Sequence, residues 1–411
     1  MISLDEVEKT LIKCLNKTLI YHQKVESVPL WDAGERVLAA DIIASEDVPA
    51  FDRSAVDGYA LLSADTGAAS EDSPISLTII DTIAAGSYPY KRIIPGTAIK
   101  IFTGAPIPRD ADCVIKKEET AEITLYSGNA IIINRSLTVG ENISVKGGDI
   151  STGEFLFPRC SIISSAHMGV LASLGIDPVS VFARPEIGIF STGNELIDLN
   201  ENLQYGQLRA SNLYTLAEII RKAGGIPVNL GLVRDRVDDV VIRYEQAQRL
   251  KLPIVISTGG TASGDYDVIT DAMKARKSTR LFDKAAIRPG APFMASVKGN
   301  QLLIGLSGNP AGAIVSMLLY IFPLISRLAG TEKQLLSGRG RLTAPITRKG
   351  EQDSFLWGRF VEQAGELYVT PMENQFCCAI KTHANSNCLI EIPAGKVEFA
   401  VNDVVPFRKL P

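Results

Sequence analysis

The stretch that decides the fold is PIVISTGGTASGDYD, residues 253–267. It begins with a short apolar run, residues 254–256, of the kind expected of a buried parallel strand. Gly259 and Gly260 follow at once, and adjacent glycines let a backbone turn tightly and bring its N–H groups close to an anion. In an open α/β sheet this position is the carboxyl edge, where ligands bind. The stretch therefore predicts a strand that ends in a ligand-binding loop.

A second loop of the same kind occurs in LLIGLSGNP, residues 302–310. Ser307 and Gly308 make the turn, Asn309 can cap a helix, and Pro310 suits the first position of the apolar helix that follows. Two strand-to-loop anion sites in one sheet indicate a phosphorylated or nucleotide-like ligand. For either loop alone, a purely structural tight turn is an equal alternative.

Carboxylates follow three successive predicted strands, at Glu195, Asp235 and Asp267. From residue 185 the pattern alternates strands and helices, and this βαβαβ order implies right-handed crossovers and a doubly wound sheet. The three carboxylates would then meet at one sheet edge, where they repel one another unless a cation lies between them. The alternative for Glu195 is that it only opens the next helix as a first-turn carboxylate.

The rest of the chain predicts further domains around this sheet. Ser3 to Glu6 form a capping box before an amphipathic helix, and a second helix is expected near residues 30–41. Residues 75–133 read as short β-branched runs of a small β domain, and residues 162–174 return to helix. Beyond residue 330, strands separated by glycine turns suggest a terminal β barrel. The fold class is multidomain, with α/β and β parts.

Composition excludes several classes of protein. The 411 residues predict two to four domains, and the net charge of −4 gives no electrostatic footprint for nucleic acid. Six cysteines without paired spacing and three histidines indicate neither a disulfide framework nor a zinc site. The longest apolar run is interrupted by Pro323 and is shorter than the roughly 20 residues of a membrane span. We therefore expect a cytoplasmic protein with no membrane or nucleic-acid partner.

With these motifs in place, the chain resembles the MoeA family of molybdopterin molybdenumtransferases, which is related to the E domain of gephyrin. Motifs in the family's order are VPAFDRSAVDGYA, IFTGAPIP, GGDIS, STGNEL, STGGTASGDYD, IRPGAPF and LSGNP. The resemblance implies an elongated homodimer whose active cleft lies between subunits. It also implies four domains: a helical domain (1–48 and 142–180), an inserted β domain (49–141), an α/β molybdopterin-binding, MogA-like domain (181–329) and a C-terminal β barrel (330–411).

The reaction implied by the resemblance uses adenylylated molybdopterin, molybdate and Mg²⁺, and it releases AMP as molybdenum cofactor forms. A molybdopterin adenylyltransferase is the implied pterin donor. The family's catalytic positions fall on Asp57, Thr103, Asp149, Glu195, Asp235, Asp267 and Arg288, with Asp235 and Asp267 as metal ligands. Its substrate-binding positions fall on Thr192, Gly193, Ser257, Gly259, Gly260, Ser263, Ser307, Gly308, Asn309 and Pro310. Mg²⁺ prefers a few carboxylates together with substrate phosphates, which agrees with these residue types.

Simpler roles are open for several of these residues. Asp57 and Asp149 could be turn formers or helix caps, because Asp in a loop usually is one. Thr103 could be a satisfied strand-end hydroxyl. Arg288 could belong to an ordinary surface ion pair.

The chain departs from the family where the oxyanion is expected to bind. The segment that usually reads KPGKP is RPGAP here, residues 288–292, so one cation is an arginine and Ala291 replaces the other. Trp357 stands where an arginine is expected, and Cys377 and Cys378 stand where serines are common. The cysteines are soft ligands or small buried hydrophobes.

A shift in strand register would let Arg359 compensate for part of this loss. The alternatives to a molybdenumtransferase are a paralogue for another oxyanion such as tungstate, and a non-catalytic pterin-binding scaffold.

Overall fold

A computed structural model of the chain describes residues 1–18, 24–126, 128–261 and 267–411. The chain forms two compact units, a smaller unit of Ser27–Ser180 and a larger unit of Met1–Glu26 with Val181–Pro411. The four-domain division expected from the resemblance is finer than this one and stays a prediction.

The regular elements up to residue 182 are mostly short strands. In chain order they are α1 Leu4–Thr18, β1 Val25–Val28, β2 Ile42–Ile43, β3 Arg53–Ser54, β4 Gly58–Leu61, β5 Ile75–Ile83, β6 Thr97–Ile101, β7 Cys113–Lys116, β8 Ala121–Leu125, β9 Gly128–Ile133, β10 Ile143–Ser144, β11 Phe155–Phe157, α2 Ser165–Ser173 and β12 Val179–Phe182.

The smaller unit is built on a six-stranded sheet of order β7-β4-β6-β5-β9-β8. Strands β5 and β6 are parallel and end side by side, with Ile83 opposite Ile101. Tyr59, Ile99 and Ile131 are fully buried, so apolar side chains fill the sheet's interior as the β-branched runs predicted. The predicted β domain is confirmed.

The prediction of a second helix near residues 30–41 is wrong. Only a 3-10 turn forms, at Leu30–Asp32. Glu35 adopts a left-handed φ of 60° just after Gly34, which stops helix propagation. The chain then runs extended, and the Leu38 N–H donates to the Ser161 carbonyl at 2.9 Å. Pairing with this distant segment satisfies backbone groups that a helix would have satisfied locally.

The first predicted helix is confirmed, and it belongs to the larger unit. The Ser3 N–H donates to Glu6 Oε2 at 2.9 Å and the Glu6 N–H donates to Ser3 Oγ at 3.3 Å, which is the predicted capping box. Val7, Leu11 and Leu15 are buried in the main core of that unit.

The larger unit alternates strands and helices before it becomes all β. From residue 186 its elements are β13 Glu186–Thr192, β14 Leu196–Ile197, β15 Leu208–Arg209, α3 Ser211–Lys222, β16 Ile226–Val233, α4 Val237–Arg249, β17 Ile254–Thr258, α5 Val268–Ala275, β18 Thr279–Phe282, β19 Ile287–Arg288, β20 Phe293–Lys298, β21 Gln301–Leu306, α6 Pro310–Ser316, a π-helical turn Met317–Ile321, α7 Phe322–Leu328, β22 Ser337–Leu342, β23 Ile346–Gly350, β24 Asp353–Gln363, β25 Glu366–Pro371, α8 Ile380–Ala384, β26 Cys388–Ile392, β27 Gly395–Phe399 and β28 Val404–Lys409.

The predicted doubly wound sheet is confirmed. Its strand order is β16-β13-β17-β21-β20-β18, and β16, β13, β17 and β21 are mutually parallel. Ile254 and Ile256 pack with α3, α6 and α7, whereas Val255 packs with α4 and α5 on the opposite face. Because successive side chains of a strand point to opposite faces, an unbroken apolar run suits a strand covered on both sides.

The apolar helix from Pro310 continues through Pro323 to Leu328. The π-helical turn just before Pro323 accommodates the missing proline N–H, so the proline does not break the helix. This 19-residue segment is long and apolar enough to cross a membrane, but 89% of its most apolar 18-residue stretch is buried inside the larger unit. Core helices pass the same test of length and composition, and the cytoplasmic location stays a prediction.

The C-terminal strands close into a barrel, as predicted. The order β24-β25-β22-β28-β26 returns to β24 through a direct β24–β26 pairing. The tight turn of the β24–β25 hairpin has positive φ at Ala364 and Gly365, which matches a type I′ hairpin loop. Strand β19 joins the β24 edge in parallel, and β23 pairs with β27 as a separate ribbon.

Candidate active site

The two predicted glycine loops lie against each other at the carboxyl edge of the parallel sheet. Gly259 and Gly260 have φ of 88° and 61°, which glycine adopts without strain. A Cβ on Gly259 would lie 2.1 Å from the Thr192 carbonyl oxygen, and one on Gly308 would lie 3.3 Å from the Gly259 Cα. Glycine is therefore required at 259 by conformation and by space.

These loops form part of a cavity of about 700 Å³, which we call the sheet-edge cavity. Its walls come from the ends of β13, β16, β17 and β21 and from the segments that follow them, and Pro292, Cys378 and Ile380 complete the lining. Ten of the predicted site residues line it: Thr192, Gly193, Glu195, Asp235, Gly259, Gly260, Ser307, Gly308, Asn309 and Pro310. The strands bring together residues that are far apart in the chain, as the strand-end pattern predicted.

Two carboxylates flank the residues just after β13 in this cavity. Asp235 accepts from the Thr192 hydroxyl at 2.6 Å and from the Asn194 N–H at 3.3 Å. The Glu195 carboxylate lies over Gly193, where a Cβ would come within 2.6 Å of its Oε2. Arg209 also lines the cavity, and its guanidinium donates to the Leu199 and Glu201 carbonyls.

Two predicted residues, Ser257 at the end of β17 and Asp267 just before α5, do not line the sheet-edge cavity. Asp267 caps α5, where its carboxylate accepts from the Thr270 N–H at 3.1 Å and from the Thr270 hydroxyl at 2.8 Å. It is not among the residues that line the sheet-edge cavity. Ser257 is fully buried, and its hydroxyl donates to the Ile304 carbonyl at 3.1 Å. Ser263 lies outside the described residues.

Arg288 lines a second, smaller cavity of about 200 Å³, which we call the arginine cavity. Its remaining walls come from Pro289, which follows β19, and from β23, β24 and the segment before α8: Arg348, Ser354, Phe355, Leu356, Trp357, Gln375, Phe376 and Cys377. Arg348 is a functional candidate that the sequence did not indicate. Arg359, expected to compensate only through a register shift, is exposed opposite Thr370 in a regular pairing and does not line the cavity.

Gln375 fixes the wall that carries Trp357. Its side-chain oxygen accepts from the backbone N–H of Trp357 at 3.0 Å. Its amide nitrogen donates to the backbone carbonyls of Trp357 and Met372 at 2.9 and 2.7 Å. The Trp357 ring is 2% exposed and packs beside His383. The side chain that replaces the family arginine is therefore a buried part of the wall.

The two cavities are neighbours that share two dividing segments. Pro289 lines the arginine cavity and Pro292 lines the sheet-edge cavity, with Ala291 between them. Cys377 and Cys378 divide in the same way, the first facing the arginine cavity and the second the sheet-edge cavity. Both cysteines are exposed, so the alternative that they are small buried hydrophobes is wrong.

In the smaller unit, Asp57 and Thr103 form a pair. Asp57 Oδ1 accepts from the Thr103 N–H at 2.8 Å and from its hydroxyl at 2.7 Å, and these hydrogen bonds lower the pKa of the Asp57 carboxyl. Asp149 is exposed, and its N–H donates to the Val48 carbonyl at 3.0 Å.

Asp149 lies at one end of the antiparallel ribbon made by residues 48–55 and 142–150, and Asp57 follows the ribbon's other end. Within the smaller unit, Asp149 is thus not brought to the Asp57–Thr103 pair.

Comparison with known proteins settles the family. Models of the MoeA N-terminal region (domain I and II), a probable molybdopterin binding domain and the MoeA C-terminal region (domain IV) match residues 2–175, 188–327 and 339–410. A Bacillus subtilis relative named molybdopterin molybdenumtransferase is 32% identical, with 90% of this chain and 86% of the relative covered. The chain belongs to the MoeA family.

Further similar proteins agree with this assignment. A Staphylococcus aureus molybdopterin molybdenumtransferase is 31% identical, with 92% of this chain and 90% of the relative covered. The crystal structure of the molybdopterin biosynthesis MoeA protein from Pyrococcus horikosii matches at a TM-score of 0.85 and 27% identity, over 100% of this chain and 99% of that one. The MoeA-family chain is therefore a transferase enzyme with the architecture of this family.

Proposed function

We propose that the chain transfers molybdenum from molybdate to adenylylated molybdopterin and releases AMP. The observation that carries this proposal is the pair of adjoining cavities in the larger unit. One has glycine loops and carboxylates at a sheet edge, and the other is smaller and holds two arginines. Such a pair suits a reaction between a large phosphorylated ligand and a small oxyanion.

The sheet-edge cavity would hold the adenylylated pterin. Breaking a phosphoanhydride depends on charge neutralisation and positioning more than on a strong base. The tight loops at Gly259 and Gly308 bring backbone close to the phosphates, and backbone N–H groups stabilise anions there. A molybdate oxygen attacks the adenylyl phosphorus and the anhydride P–O bond breaks, which frees the molybdopterin phosphate. The Mo–O bond to that oxygen then breaks, so the oxygen leaves in AMP and the molybdenum passes to molybdopterin without a change of oxidation state.

Carboxylates of the sheet-edge cavity fit a Mg²⁺ ion held jointly with substrate. Among the described residues no group of three or more histidine, cysteine or acidic side chains forms a metal site. Mg²⁺ commonly uses only one or two carboxylates together with phosphates and waters, and Glu195 and Asp235 can supply them. When bound, the ion neutralises phosphate charge. We assign it to these two residues, because both line the sheet-edge cavity and Asp267 does not.

The decisive assay is AMP release from adenylylated molybdopterin, with and without molybdate, and with tungstate in a parallel arm. We expect release that depends on molybdate. Equal or stronger dependence on tungstate would assign the chain to the other oxyanion. No release with either oxyanion would favour a non-catalytic pterin-binding scaffold and contradict the proposal.

We further propose that the active form is a homodimer in the cytoplasm, supplied with substrate by a molybdopterin adenylyltransferase. Two-fold dimers are the commonest homo-oligomers, and a cleft shared by two chains can be tested by mixing variants. If Asp57, Thr103 and Asp149 act in a shared cleft, mixing Asp57→Ala with Asp235→Asn should restore part of the activity. Full activity in a monomer, measured by sedimentation, would contradict a shared cleft.

A further inference from the structure

Two arginines from separate strands line the arginine cavity. Arg288 lies in β19 beside the barrel strand β24, and Arg348 lies in β23 of the barrel's ribbon. Among the described residues, neither guanidinium has an ion pair or a side-chain hydrogen bond. The cavity therefore holds two positive groups whose donors are still available to a ligand.

Strand geometry explains why Arg348 reaches this cavity and its neighbour does not. Ile346 is buried in the barrel core, and Arg348 follows two residues later on the same face of β23. It is half-buried, whereas Lys349 is exposed on the opposite face. Alternation along a strand thus turns Arg348 inward and Lys349 outward.

The other walls offer few competing donors for an anion. The Gln375 amide is occupied with the backbone of Trp357 and Met372. The Trp357 ring is buried, and the Ser354 hydroxyl is 3.5 Å from the Gln352 carbonyl. Arg288 and Arg348 supply the charged donors of this cavity.

A cavity of about 200 Å³ with two guanidinium groups suits a small tetrahedral dianion. Each guanidinium presents donors in a fixed fork that matches paired oxygens, and it keeps its charge at any physiological pH. Two like charges also repel one another unless an anion lies between them, which favours occupancy.

We propose that Arg348 is the second cation of the oxyanion site, in place of the lysine that Ala291 lacks. This inference rests on the proposed function for the identity of the anion. Arg348 itself lies outside the motifs that the chain shares with the MoeA family. Arg288 and Arg348 hold the molybdate oxygens, and the exposed Cys377 thiol completes the wall. Arg348 thereby determines affinity for the oxyanion, although it does not line the sheet-edge cavity.

The test measures molybdate binding to the full-length protein without pterin, by equilibrium dialysis and metal analysis. Losing one charge-assisted contact should weaken binding about tenfold to a hundredfold in Arg348→Ala. Arg348→Lys should fall between that variant and wild type, because the charge stays and the fork is lost. Lys349→Ala is the matched control and should bind like wild type. Unchanged thermal unfolding would confirm that the variants fold.

A relocated charge gives a second, independent readout. Ala291→Lys in the Arg348→Ala background should restore part of the lost binding. Wild-type affinity in Arg348→Ala would overturn the assignment, and so would equal losses in Arg348→Ala and Lys349→Ala. Failure of the proposed function is seen separately, as absent AMP release from a wild-type protein that still binds molybdate.

Discussion

The sheet-edge cavity and the arginine cavity adjoin in the same unit, yet they are built in opposite ways. The sheet-edge cavity consists of short motifs at the ends of parallel strands, and ten predicted residues meet there. The arginine cavity collects side chains from β19, β23, β24 and the segment before α8. The first presents glycine backbone, two carboxylates and Arg209, whose guanidinium donates to backbone carbonyls, whereas the second presents two arginines. In the proposed function, the first cavity positions phosphates and the second binds the oxyanion.

The largest effect is expected at the tightest point of the sheet-edge cavity. Gly259→Ala places a Cβ 2.1 Å from the Thr192 carbonyl oxygen at a left-handed φ. The loop must move, and displacement of about 1 Å at a reacting centre costs about 100-fold in rate. Gly299→Ala is the control, because Gly299 also has positive φ but open space around it. AMP release should collapse only in Gly259→Ala; similar rates in both variants would refute this role of the loop.

A smaller effect separates the two cavities by function. Asp235→Asn keeps one acceptor oxygen for the Thr192 hydroxyl, loses the second acceptor, which binds the Asn194 N–H, and removes the charge, so AMP release should fall at least about tenfold at saturating Mg²⁺. Molybdate binding measured without pterin should stay at the wild-type value. A parallel loss of molybdate binding would mean that the two cavities act as one site.

The adjacent cysteines can report which cavity each ligand occupies. In a Cys160→Ser background, Cys377→Ser and Cys378→Ser each leave one exposed thiol among the described residues. Molybdate should slow alkylation of Cys377 severalfold, and AMP should slow alkylation of Cys378, since each ligand covers its own cavity. The labelled fraction is read by mass spectrometry. Protection of both thiols by one ligand would contradict the division.

The smallest effect is expected at Asp267, whose carboxylate lines neither the sheet-edge cavity nor the arginine cavity. Asp267→Ala should lower the free energy of unfolding by about 1 kcal/mol through the lost helix cap. Asp267→Asn should be nearly neutral, because Asn caps a helix as well as Asp does. Turnover of either variant at a temperature where it is folded should match wild type. A tenfold loss in Asp267→Asn would return this residue to the metal site.

How well the sequence predicted a feature depends on whether neighbouring residues in the chain are enough to mark it. Gly259, Gly308, Glu195 and Asp235 lie directly after apolar strands, and parallel strands bring such positions together without further information. Asp267 shows the limit, since a carboxylate before a helix can be a ligand or a cap, and the sequence pattern does not reveal its contact with Thr270.

Arg348 was missed for a different reason. Nothing in its strand marks it, and its place in the same cavity lining as Arg288 depends on how the barrel ribbon packs. The false helix near residue 35 has the same origin, because the Leu38 N–H finds its partner far along the chain at Ser161. Signals that depend on distant partners cannot be recovered from a local pattern.

The most direct test of two cooperating cavities is a molybdate titration of AMP release in wild type, Arg348→Ala and Asp235→Asn. The account predicts that wild-type release rises with molybdate to saturation. Arg348→Ala should need more molybdate for half-saturation, and Asp235→Asn should reach a lower maximum at unchanged half-saturation. A rate of AMP release by the wild-type protein that does not change with molybdate concentration would contradict the account.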